Sequence, residues 1–241
     1  MRRVGILGGM GPQATILLMQ KILDAVPAVD DADHIPLLVD QNPQVPSRIR
    51  HLIEAAGEDP GPVLAGMAER LVAAGAEALA MPCNTAHHYA PAIRSAVRVP
   101  FLDMVDVSVR RAAQLAGVDG PVGILASPAV RKIGLFDASL ARFGVKALYP
   151  DDEAAMLSAI RRIKAAGSVP EAASTLRAAS DALLRRGAQV QMIACTEFSL
   201  LTDATADGVI AFDTLDMLVA EIKGFALGKG ESEERPTRRE K

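Results

Sequence analysis

Short, continuously apolar runs alternate along the chain with longer stretches whose apolar positions recur every three or four residues. A run of the first kind reads as a strand covered on both faces, and a stretch of the second as an amphipathic helix. Strands are predicted on this basis at 4–7, 35–40, 78–83, 101–104, 122–126, 145–149, 191–195 and 209–212. Helices are predicted at 12–26, 62–74, 91–97, 105–117, 129–143, 153–166, 170–186 and 214–227. Strands that alternate with helices imply an α/β protein with parallel sheets flanked by helices.

The pattern also repeats. Val4-Gly5-Ile6-Leu7 opens the first half and Val122-Gly123-Ile124-Leu125 the second. Each half later carries an apolar strand that stops on a cysteine, Ala78-Leu79-Ala80-Met81-Pro82-Cys83 in one and Gln191-Met192-Ile193-Ala194-Cys195 in the other. A chain of 241 residues can bury two cores of this size. The expected architecture is therefore two pseudo-symmetric three-layer αβα domains, with the active site at their interface. Residues 1–107 form the first lobe and residues 108–208 the second, with 209–228 crossing back to complete the first. Residues 229–241 are charged and lack apolar anchors, so they are expected to be a disordered tail.

Composition narrows the partners. Aromatic residues make up 3% of the chain and Trp is absent, so stacking surfaces for nucleobases are few. A formal net charge of −3 argues against a general nucleic-acid or membrane-surface role. Met1-Arg2-Arg3 followed by Val4 to Leu7 superficially resembles a leader, but the apolar stretch breaks at once into glycines and reads as a first strand. No apolar run approaches the roughly 20 residues of a membrane span, and a cytoplasmic location is expected. Two cysteines make no disulfide framework, and a reducing compartment would leave both as thiols.

Three features carry candidate chemistry. Gly9-Met10-Gly11-Pro12-Gln13-Ala14 follows a strand, opens a helix and matches the dinucleotide fingerprint. Its physical content is backbone N–H groups and a helix dipole aimed at an anion, which serve a carboxylate as well as a pyrophosphate. The acidic residue that a nucleotide reading wants about 20 positions on is displaced to Asp40. Cys83 and Cys195 sit at the C-terminal ends of corresponding strands, where α/β folds place their ligand crevices. Inert core thiols, a redox pair and a metal site are the alternatives, but no C-x-x-C unit and no third convincing ligand accompany them. His87 reads as a first-turn residue that helps to hold the loop after Cys83. Arg48 follows the proline-stiffened loop Pro43-Gln44-Val45-Pro46, and its fork geometry suits a carboxylate. Lys164 taken alone reads as a surface charge near a helix C-terminus. If the halves pack face to face about an approximate two-fold axis, the thiols confront each other across one cleft. Two equivalent acid/base groups on opposite faces of a ligand are what inversion at carbon requires.

At these residues the chain resembles the cofactor-independent aspartate/glutamate racemases, and most of all the aspartate racemase branch. The matching segments are Gly8 through Thr15, Asn42 through Arg48, Cys83-Asn84-Thr85-Ala86-His87, Cys195-Thr196-Glu197 and Asp213-Thr214. The resemblance implies a homodimer that needs neither cofactor nor metal and acts on an acidic amino acid. It implies Cys83 and Cys195 as the acid/base pair, with Glu197 assisting its neighbouring cysteine. By the same resemblance Met10, Gly11, Asn84, Thr85 and Thr196 hold the amino acid, Ser127 keeps a hydroxyl at the family's threonine position, and Arg48 and Lys164 bind the side-chain carboxylate. Ser47 stands where the family has an aspartate, Val130 where it has a threonine, and Phe136 where a tyrosine is common. Related small-diacid isomerases or decarboxylases, or an acidic-amino-acid binding protein without turnover, are the competing readings.

Overall fold

The computed structural model describes residues 1–117, 120–167 and 169–228. The repeat in the sequence becomes a repeat in topology. Strands β1 (Val4–Gly8), β2 (Leu37–Gln41), β3 (Ala78–Ala80) and β4 (Phe101–Leu102) form a parallel sheet in the order β2-β1-β3-β4. Strands β5 (Val122–Ala126), β6 (Ala147–Leu148), β7 (Val190–Ala194) and β8 (Ile210–Asp213) form a second in the equivalent order β6-β5-β7-β8. Strands β1, β3, β5 and β7 are buried at every position, which is why they read as apolar runs, interrupted only by Gln191 in β7, whose buried side chain is satisfied by Ser180.

Each sheet has helices on both faces. In the first lobe α1 (Pro12–Ala25) covers one face, and α3 (Gly61–Ala73) with α4 (Ala90–Ala96) covers the other. In the second lobe α8 (Glu153–Ala166) and α9 (Pro170–Arg185) close one face. Helices α5 (Met104–Ala116) and α10 (Thr214–Leu227) are exchanged. Val109 and Ala112 of α5 pack into the second lobe's core, while Leu215, Leu218 and Ile222 of α10 pack with Val4, Ile6 and Ala78 of the first. Residues 209–228 therefore do not return to the first lobe as a block. Strand β8 pairs with β7, from Val190↔Ile210 to Ile193↔Asp213, and only the helix crosses over. Strand pairing is settled through space, so hydropathy could find β8 without saying which sheet it joins.

Two further differences have local causes. The helix expected over 129–143 is two short helices, α6 (Pro128–Lys132) and α7 (Asp137–Ala141), separated where Gly134 takes a φ of +59°. An unexpected helix, α2 (Arg48–Leu52), starts after the proline loop, where the Ser47 hydroxyl accepts from the Arg50 N–H. No helix among the described residues is long and apolar enough to cross a membrane. The tail expected at 229–241 lies outside the described residues.

Candidate active site

Strand pairing delivers both cysteines to one place. In each sheet the cysteine strand lies beside the lobe's opening strand, so Cys83 and Cys195 emerge next to the turns that follow β1 and β5. The Cys83 turn is held by His87, whose Nδ1 lies 2.9 Å from the Cys83 carbonyl and whose Nε2 accepts from the Met104 N–H. That acceptor role leaves the proton on Nδ1, which donates to the carbonyl. Burial pushes the His87 pKa down, so the ring is neutral. At Cys195 the carbonyl accepts instead from the backbone N–H groups of Phe198 and Ser199, at 2.8 and 3.3 Å.

Both thiols line one narrow chamber of about 50 Å³ between the lobes. The first lobe supplies Met10, Arg48, Cys83 and Thr85; the second supplies Ser127, Lys164, Cys195 and Glu197. The Thr85 and Ser127 hydroxyls meet across the interface at 3.2 Å. The Cys195 Sγ–H donates to Glu197 Oε2 at 3.1 Å, and Lys164 Nζ pairs with Glu197 Oε1 at 3.2 Å. Burial, followed by the Glu197 carboxylate, pushes the Cys195 thiol well above its ordinary range. Ser47, also on the chamber wall, has its hydroxyl occupied in capping α2. Arg48 donates to the Val45, Pro46 and Met10 carbonyls, which pins the guanidinium at the chamber wall.

A wider cleft of about 460 Å³ adjoins the chamber and shares Ser47, Arg48, Lys164 and Glu197 with it. Gly11 and Thr196 line this outer cleft. Gly11 caps α1 without a side-chain hydrogen bond, and Pro12, Gln13 and Ala14 of the first turn line the cleft; Pro12 has no N–H, so Gln13 and Ala14 carry the first N–H groups of the helix. Asn84 lines neither space. Its Nδ2 donates to Thr214 Oγ1 at 3.0 Å, and its buried Oδ1 has no partner among the described residues. Two residues of the chamber wall, Ile49 and Ile160, and one of the cleft, Leu200, escaped the sequence reading. Ile160 precedes Lys164 by one helical turn on α8, and that spacing was the available signal. No cluster of three or more His, Cys, Asp or Glu suited to a metal ion occurs among the described residues.

Two α/β lobes with the same strand order, each presenting one thiol to a shared chamber, define a class of two-lobed α/β proteins with the candidate site between the lobes. The family follows from the chain itself: the Asp/Glu/Hydantoin racemase model matches residues 7–222, and the chain belongs to that family. It is similar to the broad specificity amino-acid racemase RacX of Bacillus subtilis, with 30% identity over 111 residues. That match covers 44% of this chain and 48% of the curated relative, about half its length. Among solved structures it is similar to the aspartate racemase of Picrophilus torridus, at 25% identity and a TM-score of 0.82 over 94% of both chains. The glutamate racemase RacE1 of Bacillus anthracis shares the fold at 17% identity and a TM-score of 0.66, over 95% of this chain and 83% of that one.

Proposed function

We propose that the protein is an amino-acid racemase that interconverts the enantiomers of an acidic amino acid, aspartate or glutamate, by two-thiol proton transfer without a cofactor. The observation that carries this reading is the shared chamber: one thiol enters from each lobe, at the end of the equivalent strand of each sheet.

In this scheme a thiolate takes the α-proton from one face, and the opposing thiol gives a proton to the other. The substrate leaves inverted and the two sulfurs have exchanged states. With one enantiomer Cys195 acts as the donor, its thiol keeping the proton while it is hydrogen-bonded to Glu197 Oε2. Cys83 then takes the α-proton from the face lined by Arg48 and Ser47, and the opposite enantiomer uses the two sulfurs with their roles reversed. The α-carbanion is the difficult species. The N–H groups at the start of α1 and the hydroxyls of Thr85 and Ser127 are the fixed donors able to stabilise charge spreading onto the α-carboxylate. Arg48 and Lys164 provide the cationic side for a second carboxylate, with Lys164 exchanging its Glu197 partner for the substrate.

The test is incubation of each enantiomer of aspartate and glutamate with the protein in deuterium oxide, followed by chiral chromatography and mass analysis. Inversion with one deuterium at the α-position of the product is expected, and Cys83→Ala and Cys195→Ala should each abolish it. A Cys83→Ala protein that interconverts both enantiomers at the parental rate would refute the two-thiol scheme.

A further inference from the structure

We propose that Thr214 is a positioning residue whose single hydroxyl fixes the two cysteine turns relative to one another. The inference rests on the two-thiol reading above and assigns Thr214 no contact with substrate.

Thr214 is fully buried and is the first residue of α10, the helix that leaves the second sheet and packs on the first lobe. Its Oγ1 donates to the carbonyl of Ile193, two residues before Cys195 on β7, at 3.0 Å. The same oxygen accepts from Nδ2 of Asn84, the residue after Cys83, at 3.0 Å. A hydroxyl has one proton, so the donor role is spent on Ile193 and the acceptor role on Asn84, and the geometry is unique. Asn84 has no second anchor, because its Oδ1 is without a partner among the described residues. The orientation of the Asn84 side chain therefore depends on Thr214.

The other polar bridge between the lobes at this depth, Thr85 to Ser127, lies in the chamber, where a substrate can break it. Thr214 lines neither chamber nor cleft, so its bridge persists through the reaction. Its helix start is tied to the Cys195 turn a second time: Asp213 Oδ1 accepts from the Ser199 hydroxyl, and the Ser199 N–H donates to the Cys195 carbonyl. Proton transfer from opposite faces demands that both sulfurs hold their distances to one carbon, and a misplacement of about 1 Å can cost about 100-fold in rate. A hydroxyl shared between the two turns supplies that constraint.

The test compares Thr214→Val, which keeps the shape and removes the hydroxyl, with Thr214→Ser, which restores it; Thr214→Ala replaces the valine variant if that one does not fold. Thr214→Val is expected to lower kcat by about 10- to 100-fold with KM within about threefold of the parent, and Thr214→Ser to recover most of the loss. Hydrogen–deuterium exchange supplies a readout that does not need turnover. Peptides containing Cys83 to Tyr89 and Cys195 to Ser199 should lose protection together in Thr214→Val and regain it in Thr214→Ser, while the body of α10 stays protected. Parental kcat in Thr214→Val, loosening of only one turn, or loss of α10 protection with no rescue by serine would overturn the inference. A wild-type protein that inverts no acidic amino acid, yet shows the paired loosening in Thr214→Val, would sink the racemase reading and leave the linkage standing.

Discussion

Replacing Asp213 with asparagine isolates the cost of one buried charge. Asp213 is 3% exposed, and its Oδ1 accepts from the Leu215 N–H at 2.8 Å and the Ser199 hydroxyl at 2.9 Å. Its Oδ2 is buried with no partner among the described residues. Burial is the largest influence and pushes the carboxyl up to about 6, against the opposing pull of the hydrogen bonds from Leu215 and Ser199. An unfolded aspartate titrates near 3.8. Between these two values the native state keeps a proton that the unfolded state has released, so stability falls as pH rises through the window. The contribution is fully present below about 3.8 and lost once pH passes about 6.

A shift of about two pKa units corresponds to roughly 3 kcal/mol at 1.4 kcal/mol per unit. Asparagine imitates the protonated acid: it keeps the Oδ1 acceptor and places an N–H where the O–H stood. The variant should match the parent at pH 4 and exceed it by roughly 3 kcal/mol at pH 7, a rise of about 6 to 12 °C in Tm for a chain of this size. Urea unfolding of both proteins at intervals from pH 4 to 7.5 reads the difference directly. If the carboxylate is instead stabilised as a charged cap, asparagine loses about 1 kcal/mol and the difference at pH 7 changes sign. Parallel curves, or a parent more stable than the variant at pH 7, would refute the reasoning.

Two other predictions follow from the site. Glu197→Gln removes the charge that, after burial, holds the Cys195 thiol up, while leaving an oxygen to accept from it. Cys195 should then alkylate with iodoacetamide several-fold faster at pH 8 in the native protein, scored by peptide mass; equal or slower labelling would contradict the assigned cause. At Gly9 the φ is +93°, and a Cβ would stand 2.4 Å from the Asn42 carbonyl carbon and 2.5 Å from its oxygen. Gly9→Ala should therefore cost about 2 kcal/mol or more and displace the loop leading to Arg48. A variant with parental Tm and parental affinity for an acidic amino acid would show that this turn tolerates what its geometry forbids.

What was legible in the sequence was local, or was repeated. The strands before Cys83 and Cys195 stood out because strands buried on both faces are mostly apolar, Gln191 being the one polar exception here, and each run ends on a sulfur at the mouth of its sheet. A repeat of those segments was enough to predict one shared chamber, since packing equivalent units about an approximate axis puts equivalent residues opposite each other. Breaks such as Gly134 were less legible, because a glycine inside a helical pattern can be tolerated or can turn the chain. Lys164 was legible through the resemblance and not from its own surroundings in the sequence. A lysine near a helix end looks solvated until α8 is placed beside the Cys195 turn, and Glu197 then becomes its partner. Residues 209–228 were expected to cross back together, and periodicity carried no trace of the split that leaves β8 in the second sheet while α10 crosses. The strand obeys the second sheet and the helix fills the first core, so Thr214 stands at the point where the two lobes are joined. Its partners, Asn84 and Ile193, are remote from it and from each other along the chain, and neither has a composition that announces the contact. The residues that line the chamber are thus written in short segments, whereas their spacing across it is set by the way β8 and α10 divide between the lobes, which only the folded chain reveals.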